Sequence, residues 1–308
     1  MEGRFTAPGK IILFGEHAVV YGKPAIAIPV SGMRATAWSE PGENGITINA
    51  MDVNKKVKLS TDRNQFSVLA QSILAITDKR EPNLTINLTS KLPQGSGMGS
   101  SAATSTAVCR ALSGHLGVDL DANEISELVF EAEKIVHGTP SGIDNTVVAY
   151  EMPVYFIKGQ NPETFEPGKL FRLVIGDTGI EAPTKETVAN VRKAWQNEPG
   201  LMEGYFDEIE KITRNGKIAI ENGNAEQVGE LMDKNHELLN SIGVGHKILE
   251  ELVEIAREKG ALGAKLTGGG GGGNMIALAE DKETQKKICE AITEAGYSAY
   301  QTSFGEQV

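Results

Sequence analysis

One segment constrains this chain more than any other: Leu92-Pro93-Gln94-Gly95-Ser96-Gly97-Met98-Gly99-Ser100-Ser101-Ala102-Ala103. Before it, Leu84, Ile86 and Leu88 alternate with Thr85, Asn87 and Thr89, the period of a half-buried strand. After it, a run to about Leu116 is rich in Ala, Ser and Thr, with Arg110 its only formally charged side chain, which reads as a buried helix packed through small side chains. Glycines at 95, 97 and 99 let backbone N–H groups converge without Cβ interference, and the start of the helix adds free N–H groups and the positive end of its dipole. A strand, such a loop and such a helix together make a phosphate cradle. Its candidate residues are Pro93, Gly95, Ser96, Gly97, Met98, Gly99, Ser100, Ser101 and Ala102, with the serine hydroxyls suited to a phosphate oxygen or Mg²⁺. The competing reading is a glycine-rich turn whose serines only cap the helix. No G-x-x-x-x-G-K-[ST] sequence occurs, and neither does an HRD or DFG triplet, so the cradle is neither a Walker loop nor that of a protein kinase.

The rest of the chain narrows the partners. At 308 residues it is long enough for about two domains. The texture changes beyond Pro153, from alternating strands to charged amphipathic helices, and the expected domains are 1–165 and 166–308. The order is β-rich, then helix, strand, helices and a closing β-β-α-β, which points to two α+β layers rather than a regular βαβ alternation. A formal charge of −11 repels both the nucleic-acid backbone and anionic lipid, so neither is an expected partner and any phosphate must be held locally. No apolar run approaches the ~20 residues of a membrane span, Cys109 and Cys289 lack metal or disulfide spacing, and a cytoplasmic location is expected. The amphipathic helices of the second half serve either their own core or a homodimer face, and the first is the default.

Three further segments carry chemistry. Pro8-Gly9-Lys10-Ile11-Ile12-Leu13-Phe14-Gly15-Glu16-His17 sets a lysine at the start of an apolar strand, where an ammonium needs an anionic partner, and a Glu-His pair in the turn beyond. His137-Gly138-Thr139-Pro140-Ser141-Gly142-Ile143-Asp144-Asn145 ends a helix in a Gly/Pro turn and delivers one carboxylate, Asp144. In the helix before it, 100° steps put Glu133 at the border of the apolar stripe formed by Ile125, Leu128, Val129, Ala132 and Val136. A Glu there is usually solvated, and it is also where a metal-binding carboxylate would look inward. Lys265-Leu266-Thr267-Gly268-Gly269-Gly270 continues to Gly273 as a second glycine loop, running from strand to strand; its G-x-G-x-x-G match is trivial because no helix follows.

In this order and spacing, PGKIILFGEHAVVYGKPAIAIP, LPQGSGMGSSAA, EKIVHGTPSGIDN and KLTGGGGGGNM resemble the motifs of the GHMP kinase superfamily over nearly the whole chain, with details similar to its compact, archaeal-type mevalonate-phosphorylating members. A galactokinase would open with GR-x-N, a homoserine kinase would lack PGK, and a phosphomevalonate-phosphorylating relative typically has Glu-Tyr where this chain has Glu16-His17. The resemblance implies an α+β fold of two domains, an N-terminal ribosomal-protein-S5-like domain and a C-terminal ferredoxin-like α+β domain, with the active site in the cleft between them. It implies ATP-dependent phosphorylation of the primary hydroxyl of mevalonate, the alternative being another acceptor of the same superfamily: phosphomevalonate, a sugar or shikimate. It further implies Asp144 as base near that hydroxyl, Lys10 stabilising charge at the transfer site, Glu133 with Ser101 holding Mg²⁺, and Glu16 and His17 orienting mevalonate. Thr184 would lie near substrate, with Arg192 a partner for its carboxylate, and Thr267, Gly268, Gly269 and Gly270 would form the third-motif loop. Gly270 stands where many relatives have Ala, a departure expected to loosen that loop.

Overall fold

The computed structural model describes residues 3–59, 64–77, 80–93, 97–138 and 140–305. The described residues gather into two units that interleave along the chain: 3–10, 33–93 and 98–151 form the first, and 11–32, 97 and 152–305 the second. The expected single boundary at 165 is therefore replaced by several crossings. The first two fall inside strands β1 (Phe5–Phe14) and β2 (Ala25–Pro41), where nothing in composition marks a change of unit.

In the first unit the chain continues through β3 (Ile46–Ala50), β4 (Lys55–Lys58), α1 (Gln65–Thr77), β5 (Leu84–Ser90), α2 (Ser100–Leu116), α3 (Ala122–His137) and α4 (Ile143–Tyr150). Its strands run β4-β3-β5-β2, with β3 and β5 parallel (Ile46 opposite Leu84) and β5 and β2 antiparallel (Ala35 opposite Ser90). Helix α2 packs against α1, α3, α4 and β5. It can do so because Ala102, Ala103, Ala107 and Ala111 present no bulk, all fully buried, while Val108 and Leu112 each contribute about 1.5–3 kcal/mol of apolar burial. Helix α3 starts on a capping box: Glu124 N–H donates to Asp121 Oδ1 and Asp121 N–H to Glu124 Oε2, both at 2.9 Å, which together satisfy two of the helix's orphan donors. The turn expected to deliver Asp144 runs directly into α4, residues 143–150, with Val147, Val148 and Ala149 buried.

The second unit adds β6 (Val154–Phe156), β7 (Glu163–Thr164), β8 (Phe171–Asp177), α5 (Thr184–Asn197), α6 (Pro199–Glu221), α7 (Ala225–Ser241), α8 (Lys247–Glu258), β9 (Gly263–Thr267), β10 (Asn274–Ala279), α9 (Lys282–Glu294) and β11 (Ser298–Phe304). Strand β6 pairs with Ala25–Ala27 of β2, and an antiparallel four-stranded sheet runs β11-β8-β10-β9. Phe206, Leu239, Leu249, Leu252, Leu266 and Met275 fill its core. As an edge strand, β9 would leave N–H groups open; α7 takes two of them, Ala264 N–H on Asp233 Oδ1 (2.9 Å) and Leu266 N–H on His236 Nδ1 (3.3 Å). Among the described residues no helix is long and apolar enough to cross a membrane.

Candidate active site

In the first unit, Lys10 and the cradle are held together by the backbone. Lys10 N–H donates to Met98 O at 2.9 Å, and Gly99 adopts φ +68°, where a Cβ would lie 2.8 Å from Lys10 Cγ, so only glycine lets the loop close over the lysine stem. Gly99 is also the N-cap of α2, and among the described residues no side chain caps that end. The first-turn N–H groups of Ser100, Ser101 and Ala102 therefore have no intrahelical acceptor and, with the helix dipole behind them, suit an anion. Met98 is buried, Gly97 is exposed with φ +73°, and Pro93 is half-buried. Gly95 and Ser96 lie outside the described residues.

The anionic partner that a buried lysine requires is Asp144. Lys10 is only 8% exposed, and its Nζ lies 3.1 Å from Asp144 Oδ1. Asp144 is the second residue of α4, behind the N-cap Gly142 at φ +92°, so its carboxylate sits where a helix dipole favours negative charge. Asn145, which the sequence singled out only as the motif's last residue, pins α4 to α3: its Nδ2 donates to Ser126 O (3.1 Å) and Oγ (2.9 Å). Two turns along α3 from Ser126 comes Glu133. Packing of α3 against both α2 and α4 buries this border position to 2% exposure, and Ser101 Oγ donates to its Oε1 at 2.6 Å. Glu133 and Asp144 line a pocket of about 190 Å³ with Pro140, Ser141, Gly142 and Asn145.

The hydroxyl of Ser101 and the carboxylate of Glu133 are two hard oxygen donors on adjacent helices. Among the described residues no cluster of three or more His, Cys, Asp or Glu could cage a metal. That donor set fits Mg²⁺, which takes one or two protein oxygens and fills its remaining positions from phosphates and water.

In the second unit, His17 (5% exposed) occupies an unusual backbone state for a non-glycine residue, φ 59°, and its Nε2 lies 3.0 Å from Gly269 O. A carbonyl only accepts, so Nε2 carries the hydrogen. Burial pushes the imidazole pKa below its ordinary value, against the opposing effect of that bond, leaving a neutral ring whose Nδ1 is an acceptor. Glu16 is fully enclosed, paired with Lys265, which is equally enclosed. Burial raises the Glu16 pKa and lowers that of Lys265, and the attraction of each for the other opposes the shift. Thr267 Oγ1 donates to Ile12 O (2.7 Å), and Thr184, exposed at the first position of α5, lies so close to Gly269 that a Cβ there would stand 2.7 Å from its Oγ1. Arg192 is exposed on α5, where its charge reaches the Tyr21 hydroxyl. The loop is not loosened at Gly270: the residue sits at φ +69°, a Cβ would meet Val244 O at 2.1 Å, and Gly271 N–H donates to that same carbonyl at 2.9 Å. Lys265 is the residue the sequence reading passed over. The signal was available, since a lysine in an apolar strand needs a partner there as much as at position 10.

The N–H groups that open α2, the Lys10–Asp144 pair and the Ser101–Glu133 oxygen pair lie in one unit, on a scaffold with neither a Walker sequence nor the protein-kinase triplets. The chain belongs to the GHMP kinases: the family's N-terminal domain matches residues 67–151 and its C-terminal domain residues 217–298. Mevalonate kinases are among its relatives within that family. It is 40% identical to the mevalonate kinase of Thermococcus gammatolerans over 94% of this chain and 92% of that one. The crystal structure of Methanococcus jannaschii mevalonate kinase matches with a TM-score of 0.87 at 27% identity, covering 100% of this chain and 99% of that one. The structure of L. major mevalonate kinase in complex with R-mevalonate matches with a TM-score of 0.83 at 29% identity, covering 98% and 96%.

Proposed function

We propose that the protein transfers the γ-phosphoryl group of ATP to the primary hydroxyl of (R)-mevalonate, giving 5-phosphomevalonate and ADP. The observation that carries the reading is the Lys10–Asp144 contact of 3.1 Å, tied through Lys10 N–H to the loop that opens α2. A carboxylate is far too weak a base to deprotonate an alcohol in a separate step. In a loose phosphoryl-transfer transition state it need not, because the nucleophile carries little charge until bonding is advanced. Asp144 orients the hydroxyl and accepts its proton late. Lys10 and the N–H groups of Ser100, Ser101 and Ala102 stabilise charge on the transferring oxygens. Ser101 and Glu133 would hold Mg²⁺, which when bound neutralises charge on the β- and γ-phosphate oxygens.

On the acceptor side, the neutral His17 offers Nδ1 to a substrate hydroxyl, and Thr184 with the loop Thr267, Gly268, Gly269 and Gly270 supplies further polar contacts. Arg192 is the cation for the mevalonate carboxylate. An enzyme with two free cysteines and a need for ATP is expected in the cytoplasm. The test is ADP release from purified protein with ATP and Mg²⁺ against a panel of mevalonate, phosphomevalonate, galactose, homoserine and shikimate. Turnover dependent on mevalonate is the expected result; turnover with another acceptor and none with mevalonate would refute the assignment.

A further inference from the structure

We infer that Lys265, with Glu16, is a positioning pair for the acceptor site, and that Glu16 acts through this pair rather than by touching mevalonate; the inference rests on the function proposed above. Three alternate residues of the third motif bind three positions of the first. Lys265 Nζ pairs with Glu16 Oε1 and also donates to Leu266 O (2.7 Å), Thr267 Oγ1 donates to Ile12 O (2.7 Å), and Gly269 O accepts from His17 Nε2 (3.0 Å). Of these ties, only the Glu16–Lys265 contact joins two charged groups, and both side chains have 0% exposure.

The turn it anchors is strained. His17 stands at φ 59°, a conformation that a non-glycine residue keeps only where the surroundings over-determine it. A carboxylate on one side of His17 and a carbonyl bond on the other supply that determination. Glu16 has no solvent-facing oxygen to offer a substrate: Oε1 is on Lys265, and Oε2 is buried and has no hydrogen-bond partner among the described residues. The pair therefore fixes the backbone on both sides of His17 and keeps Gly269 O in place to hold the imidazole tautomer. Loss of either charge frees the turn and leaves the other charge buried alone.

The test compares Glu16→Gln, Lys265→Met and the double variant for thermal midpoint, kcat and KM for each substrate. Removing one partner of a buried pair is damaging, whereas replacing both with neutral groups of similar volume is tolerated. Each single variant is expected to lower the thermal midpoint and to raise KM for mevalonate about tenfold or more, with KM for ATP changed less than about threefold. The double variant is expected to regain the midpoint and most of the lost kcat/KM for mevalonate. A double variant as impaired toward mevalonate as Glu16→Gln alone would overturn the inference, because the carboxylate would then be needed at the substrate itself. A double variant less stable than both singles, or single variants indistinguishable from wild type, would overturn it equally. Failure of the underlying assignment reads differently, as wild-type protein that does not turn over mevalonate.

Discussion

Lys10→Met separates catalytic from structural electrostatics at this site. Methionine keeps most of the stem that packs against Gly99 and removes only the ammonium. At 3.1 Å from Asp144 Oδ1, the Coulomb attraction at an effective dielectric constant of ~20 has a ceiling of about 5 kcal/mol. Asp144's side chain is 36% exposed, however, so solvent screening reduces the net contribution to folding to about 1 kcal/mol, a shift of a few degrees at most in a chain this long. Against the transferring phosphoryl group the same ammonium, whose side chain is 11% exposed, is a preorganised donor, and one such donor is worth about 10²–10³ in kcat. The variant is therefore expected to melt within a few degrees of wild type while kcat for mevalonate-dependent ADP release falls by that factor. A kcat within tenfold of wild type, or a loss of activity matched by collapse of the thermal midpoint, would refute the reasoning.

Other consequences follow from the same geometry. Glu133→Gln, which weakens one of two protein oxygens available to the metal, is expected to raise the Mg²⁺ concentration for half-maximal activity about 10–100-fold, read from a Mg²⁺ titration at fixed ATP. Gly99→Ala puts a Cβ into a left-handed conformation and 2.8 Å from Lys10 Cγ; it should cost about 1–2 kcal/mol by denaturant unfolding and lower kcat by displacing the lysine. Gly270→Ala meets Val244 O at 2.1 Å and is expected to destabilise by about 2 kcal/mol or more, so that an unchanged denaturation midpoint would contradict the loop geometry. His17 titrates below its ordinary 6.5 because it is buried. As pH falls from 6.5 toward the folded value, the unfolded chain takes up a proton the folded chain refuses, so this residue's effect is to lower stability on acidification. Thermal midpoints from pH 5 to 8 should fall less steeply on the acid side for His17→Asn than for wild type.

Much of this was legible in the chain because the information was local. The small-residue helix rests on neighbours a few residues apart, and it runs over Ser100–Leu116, where periodicity put it. Non-local facts were not legible. Glu133 reads as a border residue by helical angle alone, since its burial depends on α3 being packed by both α2 and α4. At eight residues α4 is too short to show a helical period, and Asp144 passed for a turn aspartate although it is the second residue of a helix. Residues 11–32 join the second unit through pairings such as Ala25–Ala27 with β6, which no composition shift announces. Glu16 reads as a residue of a polar turn until its partner, 249 positions away, is known.

Replacement of Asp144 by Asn bears most directly on the whole account, because the amide preserves size and a hydrogen bond to Lys10 while removing the capacity to accept a proton. With ATP, Mg²⁺ and saturating mevalonate, kcat is expected to fall about 10²–10⁴-fold while ATP binding, measured separately by calorimetry, stays within about threefold of wild type. Turnover close to wild type in this variant would contradict the assignment of Asp144 as proton acceptor.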